Sequence, residues 1–129
     1  MQTIILGIFL LLHGGVHLLY AGQSKRLFEL RPAMTWPDES WLFRKVFPVE
    51  TTRWVATILL GLAALGFIAA GLGAFLGQGW WLPLTVGSAV FSILIFLLFW
   101  DGRLKALDAQ GGIGILLNLA TIVVVQILS

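Results

Sequence analysis

The chain has 129 residues, 59% of them hydrophobic and 11% charged, with a mean hydropathy of +0.98, eight Lys and Arg against six Asp and Glu, and no cysteine. Soluble domains carry about 25% charged residues, so the composition excludes an ordinary water-soluble fold, and the length points to one integral membrane domain over 1–129. The absence of cysteine excludes thiol nucleophiles, disulfide exchange and thiolate metal ligands.

A bilayer core is crossed by about 20 apolar helical residues, and four uncharged stretches approach or exceed that length: 3–22, 54–76, 82–100 and 113–128. The first opens the chain without the basic n-region of a secretory signal, no Lys or Arg preceding Lys25, so it is expected to stay in the mature protein. It carries His13 and His17, the only acid, base or histidine side chains in any span. Their spacing of four puts them on one helix face, with Tyr20 a further turn along and Gly14-Gly15 beside them. At 1.5 Å rise per residue, His17 lies about 6 Å nearer the first loop than His13.

The connection that follows holds ten of the fourteen charges. Thr35-Trp36-Pro37-Asp38-Glu39 reads as a helix start, with Thr35 or Trp36 capping, Pro37 in the first turn and two acids where the macrodipole favours them. Trp41, Leu42 and Val46 follow at helical spacing beside Phe43 and Phe47, and Pro48 stops the run. The expectation is a short interfacial helix with its rings among the headgroups. The second span carries Gly66, Ala70 and Ala74 at i+4 spacing, with Ala63 and a Gly73-x-x-x-Gly77 pair nearby, a small-residue pattern suited to close helix packing. An uncharged turn, Gly77-Gln78-Gly79, leads to the third span, where Gly87, Ser88 and Ala89 are small and Thr85, Ser88 and Ser92 share a face. The remaining four charges lie in 101–108, and the fourth span, 16 residues long, is open to extension by Gly111-Gly112 and Ser129. Trp54, Trp80, Trp81 and Trp100 fall at the span ends, where amphipathic rings prefer to sit.

Four crossings place both charged connections on one side, together with all eight basic residues: Lys25, Arg26, Arg31, Arg44, Lys45, Arg53, Arg103 and Lys105. The positive-inside rule makes that side cytoplasmic and puts both termini outside, as in a prokaryotic cytoplasmic membrane. Such a bias argues against a dual-topology dimer. The fold class is therefore an all-α, four-transmembrane-helix bundle with an interfacial helix in the first cytoplasmic loop.

Ionisable residues inside a membrane are the best functional pointers in a sequence of this kind. Counting depth inward from the span ends puts Ser92 near the level of His13 and Asn118 between the two histidine levels. His13, His17, Tyr20, Ser92 and Asn118, with Thr121 near them, form the candidate cluster. It serves either to satisfy its own polar groups, as lipid requires, to bind a ligand, or to line a path. The sequence assigns no catalytic residue. It assigns no metal site either, since zinc needs three or four protein ligands and no carboxylate or thiol lies in a span. Two histidines one turn apart on one face cannot be opposite axial ligands of one haem, which leaves only a single axial ligand or a site shared between chains. Small four-span exporters depend on an embedded glutamate, and four-span fluoride channels on an embedded arginine; neither is present in the spans.

In the first span Leu6-Gly7-Ile8-Phe9-Leu10-Leu11-Leu12-His13-Gly14-Gly15-Val16-His17-Leu18-Leu19 resembles the first helix of DoxX-like small membrane proteins, and the Ala- and Gly-rich stretch 59–73 is similar in character. The resemblance covers the four-span layout and about forty residues in detail. It implies a heterogeneous family with quinone-linked oxidoreductase subunits among its members, and it carries over no functional residue. The second histidine and the long Trp-rich first loop depart from the family pattern.

The expected function is that of a non-enzymatic membrane subunit or binder, in which His13, His17, Tyr20, Ser92 and Asn118 line a pocket for a lipid-like molecule. The candidate cofactors are a quinone or a haem. The expected partners are the bilayer and either further copies of the chain or a larger membrane complex, with no nucleic acid. The rival expectation is a small transporter or channel using the same residues as a path.

Overall fold

A computed structural model describes residues 1–104 and 107–128; Lys105 and Ser129, invoked above for loop charge and span length, lie outside the described residues. Four helices order the chain: α1 Gln2–Ser24, α2 Val49–Phe75, α3 Trp81–Phe99 and α4 Ile113–Leu128. Each belongs to a segment long and apolar enough to cross a membrane, with window hydropathies of 2.0 to 2.3, as expected of a small membrane protein. No strand occurs among the described residues. Packing follows chain order, α1 on α2, α2 on α3 and α3 on α4, while α1 and α4 share no comparable backbone packing and leave a seam between them.

Small residues set how closely the helices approach, because apolar burial drives little association in lipid. A Cβ on Gly71 would stand 3.0 Å from the Gly7 carbonyl oxygen, and one on Gly14 would stand 3.1 Å from that of Ala64, so α1 and α2 meet nearly backbone to backbone. Gly66 gives way to Ser88 of α3. Ala63, Ala70 and Ala74 are buried, in line with the small-residue pattern of the second span. Gly77 has a different role. With φ +65 it follows the C-cap Leu76 and closes α2, Gly77 N–H donating to Ala74 O at 3.2 Å and Gln78 N–H to Gly73 O at 2.9 Å. Gly87 is exposed and has no neighbour within reach of a Cβ.

The first loop departs from expectation. In place of an interfacial helix it forms a chain of turns with a single 3-10 turn at Phe43–Lys45. The reason lies at the end of α3, whose last carbonyls have no helical donors. Ser40 Oγ donates to Leu98 O at 2.6 Å, Trp41 N–H to Trp100 O at 2.8 Å and Trp41 Nε1–H to Leu97 O at 2.7 Å. Upstream, Asp38 accepts both Nε–H and Nη2–H of Arg53 at 2.8 and 2.7 Å and pairs with Arg26 at 2.9 Å. Consecutive residues are thus claimed by different helices, which a continuous helix over the loop would not allow. Trp36, expected at a helix start, is instead buried against Phe96 and Phe99. Of the tryptophans at the span ends, Trp54 and Trp80 are half-exposed but Trp81 is buried in the core.

The same contacts bring the first loop to the C-terminal end of α3 and hence to the second charged connection, so both sit at one end of the bundle with the Gly77 turn at the other. Replacing Asp38 with Asn removes the charge that holds two arginines. We expect a loss of about 1–2 kcal/mol, since charge-assisted bidentate pairs are the stronger kind and these groups are only partly buried. Limited trypsin digestion in detergent checks this, with faster cleavage after Arg26, which loses its carboxylate partner, as the expected result and an unchanged rate as the contrary one.

Candidate functional site

The bundle holds two apolar clusters, one including Leu10, Phe67 and Ala70, the other Trp36, Leu60, Ile95 and Phe96. A polar layer lies against both. Phe67 of the first stands 4.7 Å from the His13 ring and 5.0 Å from that of His17, and Phe96 of the second stands 5.8 Å from His17, all between centroids. Phe9 stacks on His13 at 5.3 Å. His13, His17, Ser92 and Asn118 are all at most 4% exposed.

Four hydrogen bonds join them, and their directions follow from chemistry. The His13 carbonyl can only accept, so His17 Nδ1 carries a proton and donates to it at 2.8 Å. No carboxylate lies in any span to pair an imidazolium, and an unpaired charge there is costly, so the rings are neutral. Nε2 of His17 then accepts, and the Ser92 hydroxyl donates to it at 2.6 Å. Having given its single proton, Ser92 Oγ accepts from Asn118 Nδ2 at 2.8 Å. That leaves Asn118 Oδ1 to accept from His13 Nε2–H at 2.8 Å. The chain of bonds starts on the His13 side chain and returns to the His13 backbone, tying α1, α3 and α4 together. The two histidines are held in opposite tautomers.

Beside this circuit, in the seam between α1 and α4, is a cavity of about 230 Å³. His13, Val16, His17 and Tyr20 line it from α1, Phe96 from α3, Ile113, Gly114 and Leu117 from α4 or its start, and Leu30, Arg31 and Met34 from the first loop. Gln23 holds that loop in place: its Nε2–H donates to Met34 O at 3.1 Å, and its Oε1 accepts Leu30 N–H at 2.8 Å. Tyr20 stands edge-on to Trp36 and Phe96 at 5.4 and 5.1 Å. It belongs to the cavity wall and not to the four-bond circuit. Family models, curated proteins and solved structures yield no match to this chain.

The sequence-predicted residues therefore gather in one place: Ser92, counted to the level of His13, bonds His17, and Asn118, counted between the two histidine levels, bonds His13. Thr121 does not join them, its hydroxyl donating to Leu117 O of its own helix at 2.7 Å. Thr85 likewise donates to Trp81 O, and among the described residues no bond carries the polar chain from Ser92 through Ser88 toward the Gly77 end. Among the described residues no three His, Cys, Asp or Glu side chains come together. Gly14 makes room for α2, not for a ligand. Sequence reasoning missed Phe9, Phe67, Phe96, Arg31 and Gln23. Of these only Gln23 left a local signal, an uncharged polar side chain at the end of an apolar span.

Proposed function

We propose that this small membrane protein is a non-enzymatic binder, working as a homo-oligomer or a subunit of a larger membrane complex. It receives the polar head of a lipid-like, quinone-like molecule in the chamber beside His13 and His17. It does so with both termini outside and the charged loops on the cytoplasmic side, the orientation favoured by the distribution of basic residues. The observation that carries the reading is the cavity itself. Ligand pockets for drug-sized molecules run to about 300–1,000 Å³, so about 230 Å³ suits one ring and not a whole larger ligand. Its wall combines apolar surface with imidazole, phenol and, in the exposed part of the loop, the Arg31 guanidinium. With Nε2 committed to Asn118, neutral His13 retains the Nδ1 lone pair as an acceptor. A pocket is favoured over a path because polar contacts stop at His13, the rest of the α1–α4 seam toward the chain termini being apolar.

The test uses the protein in lipid nanodiscs and a photoreactive azido-benzoquinone, with labelled positions read by mass spectrometry. Labelling is expected to concentrate on 13–20 of α1 and 113–117 of α4. It should fall at least fivefold in the double variant His13→Leu, His17→Leu, with helicity and elution volume confirming that the variant folds. Labelling spread evenly over lipid-facing residues, or unchanged in a folded double variant, contradicts the proposal.

A further inference from the structure

The seam between α1 and α4 contains a second recess, of about 260 Å³, lined by Ile5, Leu6, Phe9, Ala120, Thr121 and Val124. It lies on the far side of the His13–Asn118 bond from the histidine chamber, α1 and α4 supplying residues 5–9 and 120–124 to the recess against 13–20 and 113–117 to the chamber. Its walls are apolar. The one hydroxyl present, on Thr121, is engaged by the Leu117 carbonyl. From Ile5 to Tyr20 the seam runs about 22 Å along α1 at 1.5 Å per residue.

Polarity falls steadily along that length. Arg31 lies in the exposed loop at one end, followed by Tyr20, then the two imidazoles, then only hydrocarbon from Phe9 to Ile5. An amphiphile has the same order, a polar head nearer the charged loop and a hydrocarbon tail beyond it. We propose that the seam holds a single-tailed amphiphile, its head in the histidine chamber and its tail passing on the membrane side of the His13–Asn118 bond into the recess beside Phe9 and Ala120. This inference rests on the binding reading above and adds the ligand's class: one apolar chain, acyl or prenyl, on a single-ring head. Ala120 and Val124 are exposed and can carry larger side chains without disturbing the interior.

The test compares two azido-benzoquinone probes, one bearing a decyl tail and one without it, in wild-type protein and in Ala120→Phe and Val124→Phe. Filling the recess should weaken chamber labelling by the tailed probe at least fivefold in Ala120→Phe, and by a smaller factor in Val124→Phe. The tail-less probe should label all three proteins equally. If the tailed probe labels folded variants as it labels wild type, the tail does not run through the recess, and the inference fails while the chamber reading stands. If both probes weaken together, the substitutions act on the chamber itself, and the inference fails again. If neither probe labels the chamber in wild type, the binding reading fails and takes the inference with it.

Discussion

Asn118→Leu is expected to destabilise the bundle by about 2–3 kcal/mol. Two bonds are lost, the His13 Nε2–H to Asn118 and the Asn118 Nδ2–H to Ser92. Interhelical hydrogen bonds in membranes average about 0.6 kcal/mol and reach about 1.7. The larger part of the cost comes from His13, whose ring N–H is left buried without a partner at about 1–3 kcal/mol. The double variant His13→Phe, Asn118→Leu removes donor and acceptor together, and Phe at 13 keeps a ring against Phe9 and Phe67. It should therefore be more stable than the sum of the two single changes predicts, with a coupling of about 1–2 kcal/mol in a double-mutant cycle. Reversible unfolding in mixed detergent measures all four proteins. Additive effects would mean that the two side chains do not depend on each other.

Gly111→Ala is expected to cost about 2–5 kcal/mol and to abolish chamber labelling. Gly111 sits in the turn Asp108–Gly112 that feeds α4, with φ +97 and ψ +6, a left-handed conformation that penalises any Cβ by about 1–2 kcal/mol. The added methyl would also collide with the ring of Phe96, and overpacking of that kind costs about 1–3 kcal/mol. Phe96 cannot yield freely, being buried between Tyr20, Trp36 and His17. Any shift of its ring moves the chamber wall. Gly87→Ala is the matched control, since nothing lies within 4 Å of its Cβ position and it should leave both stability and labelling unchanged. Thermal midpoints of the two variants in one detergent give the comparison, and a Gly111→Ala midpoint equal to wild type would remove the turn from the account.

The four helices were legible because the requirement for about 20 apolar residues is written in composition alone. The histidine face was equally legible, since i and i+4 on one helix admit no other arrangement. Which histidine met Ser92 and which met Asn118 was not. Depth counted from span ends ignores where each helix really starts, and α1 runs from Gln2–Ser24 against an expected 3–22 while α3 closes one residue early. The loop was read by local rules that favour a helix over 35–47. It obeys instead the unpaired carbonyls of Leu97, Leu98 and Trp100 and the two arginines around Asp38, partners that no local pattern reveals. Arg31 and Met34 line the chamber from a loop that Gln23 and Arg26 hold against the end of α1, contacts far from any local sequence pattern. The same holds for Trp36, whose sequence context suggests the interface and whose surroundings are Phe96 and Phe99.

The bond circuit through His13, Asn118, Ser92 and His17 is the feature on which the chamber depends, and its directions are open to direct observation. The most direct measurement is the ¹⁵N spectrum of the protein labelled in its histidine rings, reconstituted in lipid, with long-range couplings assigning the protonated nitrogen of each ring. Only His13 and His17 contribute, there being no third histidine. The account predicts two neutral imidazoles of opposite tautomer, His13 protonated at Nε2 and His17 at Nδ1; in Asn118→Leu the His13 Nε2–H loses its acceptor and the His13 tautomer is released, while His17 keeps its Nδ1–H on the His13 carbonyl. Two rings of the same tautomer, or a ring protonated on both nitrogens at neutral pH, would contradict it.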